Sequence, residues 1–559
     1  MQATESDVNE RVDHLGIVAG VCQEIGLGAW LDEQDPTTRQ VVSVGTAPTA
    51  MILKGLGFSH RQRYLVPQDF ANKPVEDVLG RGMSAAMLND DCLGRTRDWL
   101  YAHDPTQLFA GIAHRARQVF GVSTAPVHVD TTSCSVSGDD EPKQEQGAEA
   151  EGGPKEQVAD PALIAITSGS SRDHREDLKQ WMLALATTHE GDMALLLPPL
   201  SGNSSDKMSV LAAVQAIQEQ LRATEEAPRV DVADTGVSSE AKRRPLKQAR
   251  IKWISRVSDT SPQAKQALAE SSETWQTSDD GSMHFDCRIR TLPQGHERRV
   301  IVRTTPSQQR AQASLQRQVK RAQAEWEKKC WHLGNRRLAC EADARAALQR
   351  EPKGKPAWLE VQSDVVAHAP HEGRGRPRKE TSPLTQPWQI VVTVTIKQEM
   401  VEQEALRNAC WIVGTTILSP AVVADQALAA TYKEPGGVER GFRFLKDPLV
   451  LASSVCVKKP ERIMALSLIM VLCLLISRLA EFRLRTRLAE TAQTIPDQIQ
   501  KPTARPTMGW VFQCFEGIEF LPLHPPFTSR TLGLRLPPVH PLIVSLLGPY
   551  SEQFYLSSS

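Results

Sequence analysis

Three segments far apart in the chain each carry one carboxylate in a setting suited to holding a hard cation. They are Val127-His128-Val129-Asp130, Val230-Asp231-Val232-Ala233-Asp234, and Tyr432 to Lys446 with Glu439 near its centre. The first two are rich in β-branched residues and predict short strands ending in Asp130 and Asp234. The third predicts a helix with Glu439 and Lys446 two turns apart. Two Asp on neighbouring strands and a Glu on an abutting helix offer the oxygen donors that Mg2+ or Mn2+ prefers. Two such cations about 3.5–4 Å apart stabilise the attacking and leaving oxygens of a phosphodiester displacement. The expected chemistry is metal-dependent phosphoryl transfer, with Asp130, Asp234 and Glu439 as the catalytic and metal-binding residues. Asp130 alone would equally serve as a turn or cap residue. His128 lies two positions before it and so shares its face of the strand, either supporting the site or satisfied structurally.

The elements that must position these residues can be read along the chain. At 559 residues it is too long for one hydrophobic core. Helical spacing of apolar residues recurs at His14 to Leu31, Val44 to Leu56 and Leu108 to Phe120. Residues 136–160 are polar and low in complexity and predict a loop. Strands are expected at Leu163 to Thr167, Trp181 to Ala186 and Met193 to Leu197, the last two forming a hairpin, and then a helix over 206–223. Asp234 and Glu439 are separated by 204 residues, too many for one crossover, so an insertion must intervene. Within it Trp253 to Val257 and Arg299 to Arg303 predict strands and 307–350 predicts long helices. Gln389 to Ile396 and Cys410 to Leu418 predict strands returning to a sheet. The apolar run Ile463 to Ile476 is shorter than the roughly 20 residues of a spanning helix and is expected in a buried core helix, with no membrane role.

Composition adds limits. Net charge is −1, so any affinity for nucleic acid must come from local patches. Ten cysteines without a CxxC pair fit a reducing compartment better than a zinc site or a disulfide framework.

The residues around the three carboxylates resemble a known family. Tyr432, Glu439 and Lys446 stand at the spacing of a Tyr-(2)-Arg-(3)-Glu-(6)-Lys signature. HVDTTS around Asp130, SRDHREDLKQ at 171–180, SGNSSDK at 201–207, IKWISRV at 251–257 and ERGFRFLKDPLVLASSVCVKKPERIMAL at 439–466 are similar to the same group. So are LGFSHRQRYLVPQDF and LNDDCLGRTRDWLY near the N-terminus. The chain thus resembles the bacterial insertion-sequence DDE transposases, of the retroviral-integrase superfamily with an RNase H-like core, from about residue 12 to about 550. The signature's Arg position holds Pro435, and Thr-Gly-Val-Ser-Ser follows Asp234 where the family has an apolar-aromatic helix start.

The resemblance implies an α/β fold: an RNase H-like mixed sheet flanked by helices, a helical N-terminal domain and a large insertion subdomain before Glu439. The expected divisions are a helical 1–122 able to bind DNA, a first core part at 123–235, an insertion at 236–388, a second core part at 389–490 and an extension at 491–559. It also implies a cytoplasmic, nucleoid-associated bacterial enzyme that needs Mg2+ or Mn2+. Its partners would be double-stranded DNA, both as inverted-repeat ends and as target, and a second copy in a homodimer. Tyr432 and Lys446 would contact the element end, with Arg440 and Arg443 as phosphate contacts on charge grounds. Arg374-Gly375-Arg376-Pro377, followed by Arg378 and Lys379, is similar to an AT-hook core and fits a narrow minor groove; a solvated basic loop is the other reading. His174, Arg175, Asp177, Lys179 and Gln180 are expected in a structural network rather than in the DNA channel. A decayed copy acting only as a DNA-binding protein, or a metal-dependent nuclease of the same fold, is the alternative.

Overall fold

In this computed structural model the described residues are 10–36, 40–57, 66–124, 126–136, 163–169, 175, 177–196, 198–204, 206–223, 231–233, 240–258, 266, 268, 275–292, 295–335, 338, 340–348, 355–367, 388–433, 436–447, 459–521, 531–532 and 536–556. Asp234, Arg374, Arg376, Pro435 and His174, and most of the 136–160 segment, lie outside them. Contacts divide the chain into two units, Met1–Ser255 with Ala430–Ser559, and Arg256–Ala429.

The first unit opens with helices α1 (Leu15–Glu24), α2 (Leu27–Glu33), α3 (Thr46–Leu56), α4 (Asp90–Ala102) and α5 (Pro105–Phe120). Local chemistry sets their limits. The Asn89 side chain accepts from Cys92 N–H at the start of α4, and Asp104 accepts from Thr106 N–H ahead of α5, which has Pro105 at its first position. Leu108, Phe109, Ile112, Ala113 and Ala116 then recur at helical spacing and form the buried face of α5.

The strands follow: β1 (Val127–Ser135), β2 (Gln180–Thr188), β3 (Ala194–Leu196), β4 (Pro199–Ser201), then α6 (Asp206–Ala223), β5 (Asp231–Ala233), α7 (Glu240–Gln248) and β6 (Trp253–Val257). β1 and β2 pair antiparallel over their full lengths, from Val127 opposite Thr188 to Ser135 opposite Gln180. β3 and β4 both pair antiparallel with the outer edge of β2. On the other side β5 runs parallel to β1, with Val129 opposite Ala233, and β6 runs parallel to β5. The order β3-β2-β1-β5-β6, an antiparallel meander followed by two parallel strands, is that of an RNase H-like core. Every residue of β2 is buried, as expected of a central strand covered on both faces. Leu163 to Thr167 is not a strand: it contributes a single bridge, Thr167 to Gln180.

In the second unit β7 (Met283–Leu292) and β8 (Gly295–Thr304) form a hairpin, followed by α8 (Thr305–Gly334), α9 (Glu341–Leu348), β9 (Leu359–Ala367), β10 (Trp388–Ile396), α10 (Gln398–Asn408) and β11 (Cys410–Thr415). A reciprocal cap between Thr304 and Ser307 starts the 30-residue α8. β11 pairs with β8, while β9 and β10 form a ribbon of their own. Leu315, Val319 and Trp326 of α8 pack with Trp358, Leu359 and Val401. By contacts this second unit covers Arg256–Ala429. Trp253–Val257 begins as the parallel neighbour of β5, and 410–415 joins a sheet as expected, pairing with 298–303, whereas 388–396 finds its partner at 359–367 in a separate ribbon.

The chain returns to the first unit through α11 (Asp425–Lys433), followed by α12 (Gly436–Leu445) and α13 (Pro460–Glu490). The expected single helix from Tyr432 to Lys446 is thus two helices. α13 is long and apolar enough to cross a membrane, yet its apolar window is wholly buried within the chain. It packs on α1, α3, α4 and α5 and also touches α12. The N-terminal helices and the C-terminal segment share this helix in one core within the first unit.

Candidate active site

Asp130 sits within β1, partly open to solvent, and its Oδ1 accepts the Thr131 N–H at 2.7 Å. Its cross-strand partner is Leu185, so the two side chains leave the sheet on the same face. Leu185 Cδ2 lies 2.8 Å from where a Cβ on Gly441 would be, and Leu474 Cδ2 of α13 lies 3.3 Å from the same point. α12 is therefore held between that face of the sheet and α13, and its backbone comes this close because residue 441 has no side chain.

The helical period sorts the residues of α12. Val438, Gly441, Phe442 and Leu445 are buried, whereas Glu439, Arg440 and Arg443 are exposed and Lys446, one residue past the helix, is half-buried. Glu439, Arg443 and Lys446, at steps of four and seven from Glu439, share one side, whereas Phe442 faces the core. Tyr432 is half-buried on the preceding α11.

Asp192 is the residue that sequence reasoning missed. It lies in the turn between β2 and β3 with φ 53°, a left-handed conformation that Asp tolerates better than most residues. Its carboxylate occupies the space a Cβ on Gly437 would take, beside the first turn of α12, and forms an ion pair with Arg440. A negative group at a helix start is favoured by the helix dipole. Arg440, expected as a phosphate contact, is thus engaged with Asp192. The sequence signal for this arrangement is slight: Gly437 and Gly441, four apart on the helix that carries Glu439, mark a helix approached closely on one side.

The same turn is tied down elsewhere. His189 Nδ1 lies 3.2 Å from His128 Nε2 with the rings stacked, and Glu190 accepts the Ser123 N–H at 3.0 Å. Burial pushes the His128 imidazole down to about 4, so it is neutral near pH 7. His128 on β1 therefore braces the turn that holds α12. In the polar run before β2, Arg175 and Asp177 form a local exposed ion pair, while buried Gln180 donates to Gly202 O at 2.9 Å.

Asp130 and Glu439 offer only carboxylate oxygen, and both reach solvent; the imidazole and thiol on the same strand, His128 and Cys134, are buried. That donor set suits a hard divalent cation. Among the described residues there is no cluster of three potential ligands, and the third expected ligand, Asp234, is outside them.

The family model described as "Transposase DDE domain" matches residues 173–476, more than half of the chain, and a second, "Domain of unknown function (DUF4277)", matches 8–114. The first span contains Asp234 and Glu439, and Asp130 lies between the two spans. No curated protein matches the sequence. Among solved structures the chain is similar to a piggyBac transposase from a synaptic complex with hairpin DNA, at 9% identity over 99% of this chain and 85% of that one. The TM-score is 0.34.

Proposed function

Because the chain belongs to the transposase DDE domain family and so is an enzyme of DNA cleavage and joining, we propose that it cuts and rejoins the ends of its own element with Asp130, Asp234 and Glu439 as the metal-holding triad. One observation carries this reading. The strand bearing Asp130 has β5, the strand leading to Asp234, as its parallel neighbour on one side, and α12, the helix bearing Glu439, lies against β1 and β2. The register pairs Val129 with Ala233, and the next residues along the two chains are Asp130 and Asp234.

When bound, two Mg2+ or Mn2+ ions supply charge stabilisation to the attacking and leaving oxygens. The chain's own residues do the rest. Asp130, Asp234 and Glu439 would hold the cations. Tyr432 and Lys446 contact the element end, and Arg443, on the Glu439 side of α12, meets a flanking phosphate. Arg374 and Arg376 contact a minor groove of the bound DNA. Arg440 pairs with Asp192 beside α12, and its half-exposed guanidinium also meets a flanking phosphate. Water attacks the phosphodiester at the element end and releases a 3′-hydroxyl, and that hydroxyl attacks target DNA in line. A homodimer holds the two ends together.

The test is a plasmid carrying the gene with its natural flanks, incubated with purified protein and Mg2+, Mn2+ or EDTA, beside Glu439→Ala. Breaks at the element ends that need the cation and vanish in the variant are expected. End binding without any cutting would overturn the catalytic reading in favour of a DNA-binding relic. Breaks with no preference for the ends and no joining would leave a nuclease.

A further inference from the structure

We propose that the outward face of α8, in the inserted unit, is a binding surface for the phosphate backbone of duplex DNA. The inference rests on the DNA-acting reading above and adds a site distinct from the carboxylates.

Arg310, Arg317, Arg321 and Lys328 are all exposed. They are separated by seven, four and seven residues. At about 100° per residue, this spacing returns each to within about 20° of one line along the helix, and at about 1.5 Å per residue the line is about 27 Å long. The buried side chains of α8, Leu315, Val319 and Trp326, lie at about 140–180° from that line, so the cations point straight away from the core of their unit. The two acidic residues of the helix, Glu325 and Glu327, fall to either side of it; Glu325 pairs with Arg321 and Glu327 accepts from Gln323. Trp331, 65% exposed, lies near the C-terminal end of the line.

A solvated helix face normally mixes both signs. Here the line holds four cations and no anion, in a chain whose net charge is −1. The matching partner is a linear polyanion of comparable length, and about 27 Å of duplex axis carries roughly 16 backbone charges. Arginine and lysine meeting phosphates along a backbone give affinity without base readout, so this surface grips DNA whatever its sequence.

The experiment uses the full chain, EDTA to prevent cutting, and a fluorescein-labelled duplex of scrambled sequence about 40 bp long. Binding is followed by anisotropy between about 50 and 200 mM KCl. Replacing Arg310, Arg317, Arg321 and Lys328 together by Gln is expected to reduce the slope of log affinity against log salt by about 3 to 4. Over that range the unaltered chain then loses about a hundredfold more affinity than the variant. Arg→Lys at the three arginines keeps the charge and should keep the slope. If the fourfold variant loses helicity, Arg310→Gln with Arg317→Gln is read the same way, at about half the change. An unchanged slope, or no duplex binding by the unaltered chain, overturns the proposal; the first of these would leave the stripe for an acidic protein partner. Plasmid cutting with an unchanged slope would sink this surface and leave the catalytic reading intact. A reduced slope without any cutting would do the reverse.

Discussion

Asp130 and Glu439 are held in different ways, and the difference decides what mutation should do. Asp130 is set by its own strand and the Thr131 amide. Glu439 takes its place from α12, whose first turn rests on Asp192, with Arg440 closing the contact. Asp130→Asn and Glu439→Gln should each lower plasmid-end cleavage by about a thousandfold or more, as expected for groups acting on developing charge. Both side chains reach solvent, so thermal unfolding should hardly change; a large drop in melting temperature would mean they are structural. Asp192→Ala should leave stability within about 1 kcal/mol, since its arginine partner is half exposed to screening solvent. It should nevertheless raise the Mn2+ concentration needed for half-maximal cleavage, and Arg440→Lys should restore most of that loss relative to Arg440→Ala. An unaltered Mn2+ requirement in Asp192→Ala would remove Asp192 from the positioning of Glu439. The candidate carboxylates were legible because an Asp after a β-branched run and a helical Glu with cations at fixed spacing are local patterns, although the strand expected to end at Asp130 runs on to Ser135 along its partner β2. Asp192 was not, because its partner is 248 residues away and only folding brings the two together.

At the scale of elements, the tight fit of α12 makes a sharp prediction. Gly441→Val would drive methyl groups into Leu185 and Leu474. Overpacking of this kind costs about 1–3 kcal/mol and should displace Glu439, lowering both unfolding temperature and cleavage. Gly441→Ala combined with Leu185→Ala should recover part of the cleavage that Gly441→Ala loses; no recovery would show that the contact does not set the helix position. The N-terminus of α1 offers a test by pH. His14 is buried, stacks on Phe512 and lies with Nε2 2.6 Å from Leu56 O. Burial lowers its pKa to about 4, against smaller upward pulls from the hydrogen bond to the Leu56 carbonyl and from Asp13, with Lys73 adding a small downward one. The unfolded chain, near the ordinary 6.5, therefore takes up the proton first. Stability present above about 6.5 is lost as pH falls toward about 4, amounting to about 2 kcal/mol at pH 5. Urea midpoints at pH 7 and 5 should differ by less in His14→Gln than in the unaltered chain. Several elements follow local rules closely: the helix read at 206–223 and the strand read at 253–257 have those bounds in the structure. Leu163 to Thr167 has strand-like composition yet forms one bridge, since strands are defined by neighbours as well as by residues.

At the scale of the whole molecule, both ends of the described chain close onto each other within the first unit. Gly16 and Gly20 of α1 admit Tyr555 and Ser551 at contact distance, and the Tyr555 hydroxyl donates to Asp13 O at 2.6 Å. Tyr555→Ala removes a fully buried ring and a hydrogen bond, and should cost about 3–5 kcal/mol although it touches no candidate site residue. A melting temperature near that of the unaltered chain would show that the C-terminal segment is dispensable. The two units also differ in how their cores are built. The first wraps helices from residues 15–120 around α13, whereas the second rests on small clusters beneath α8 and between β8 and β11.

The sequence by itself determined the residue types and their periodicity: strand-forming segments before Asp130 and Asp234, an amphipathic segment around Glu439, a large insertion ahead of it, and a family signature. These are legible because backbone sterics and side-chain period act over a few residues. Only the tertiary structure decided that 388–396 pairs outside the catalytic sheet and that the N- and C-terminal segments share one core helix. It also decided that Asp192, Gly437 and Gly441 seat the Glu439 helix. Those choices depend on which hydrogen-bonding edges and apolar faces meet, and partners hundreds of residues apart leave no mark in the local pattern of either.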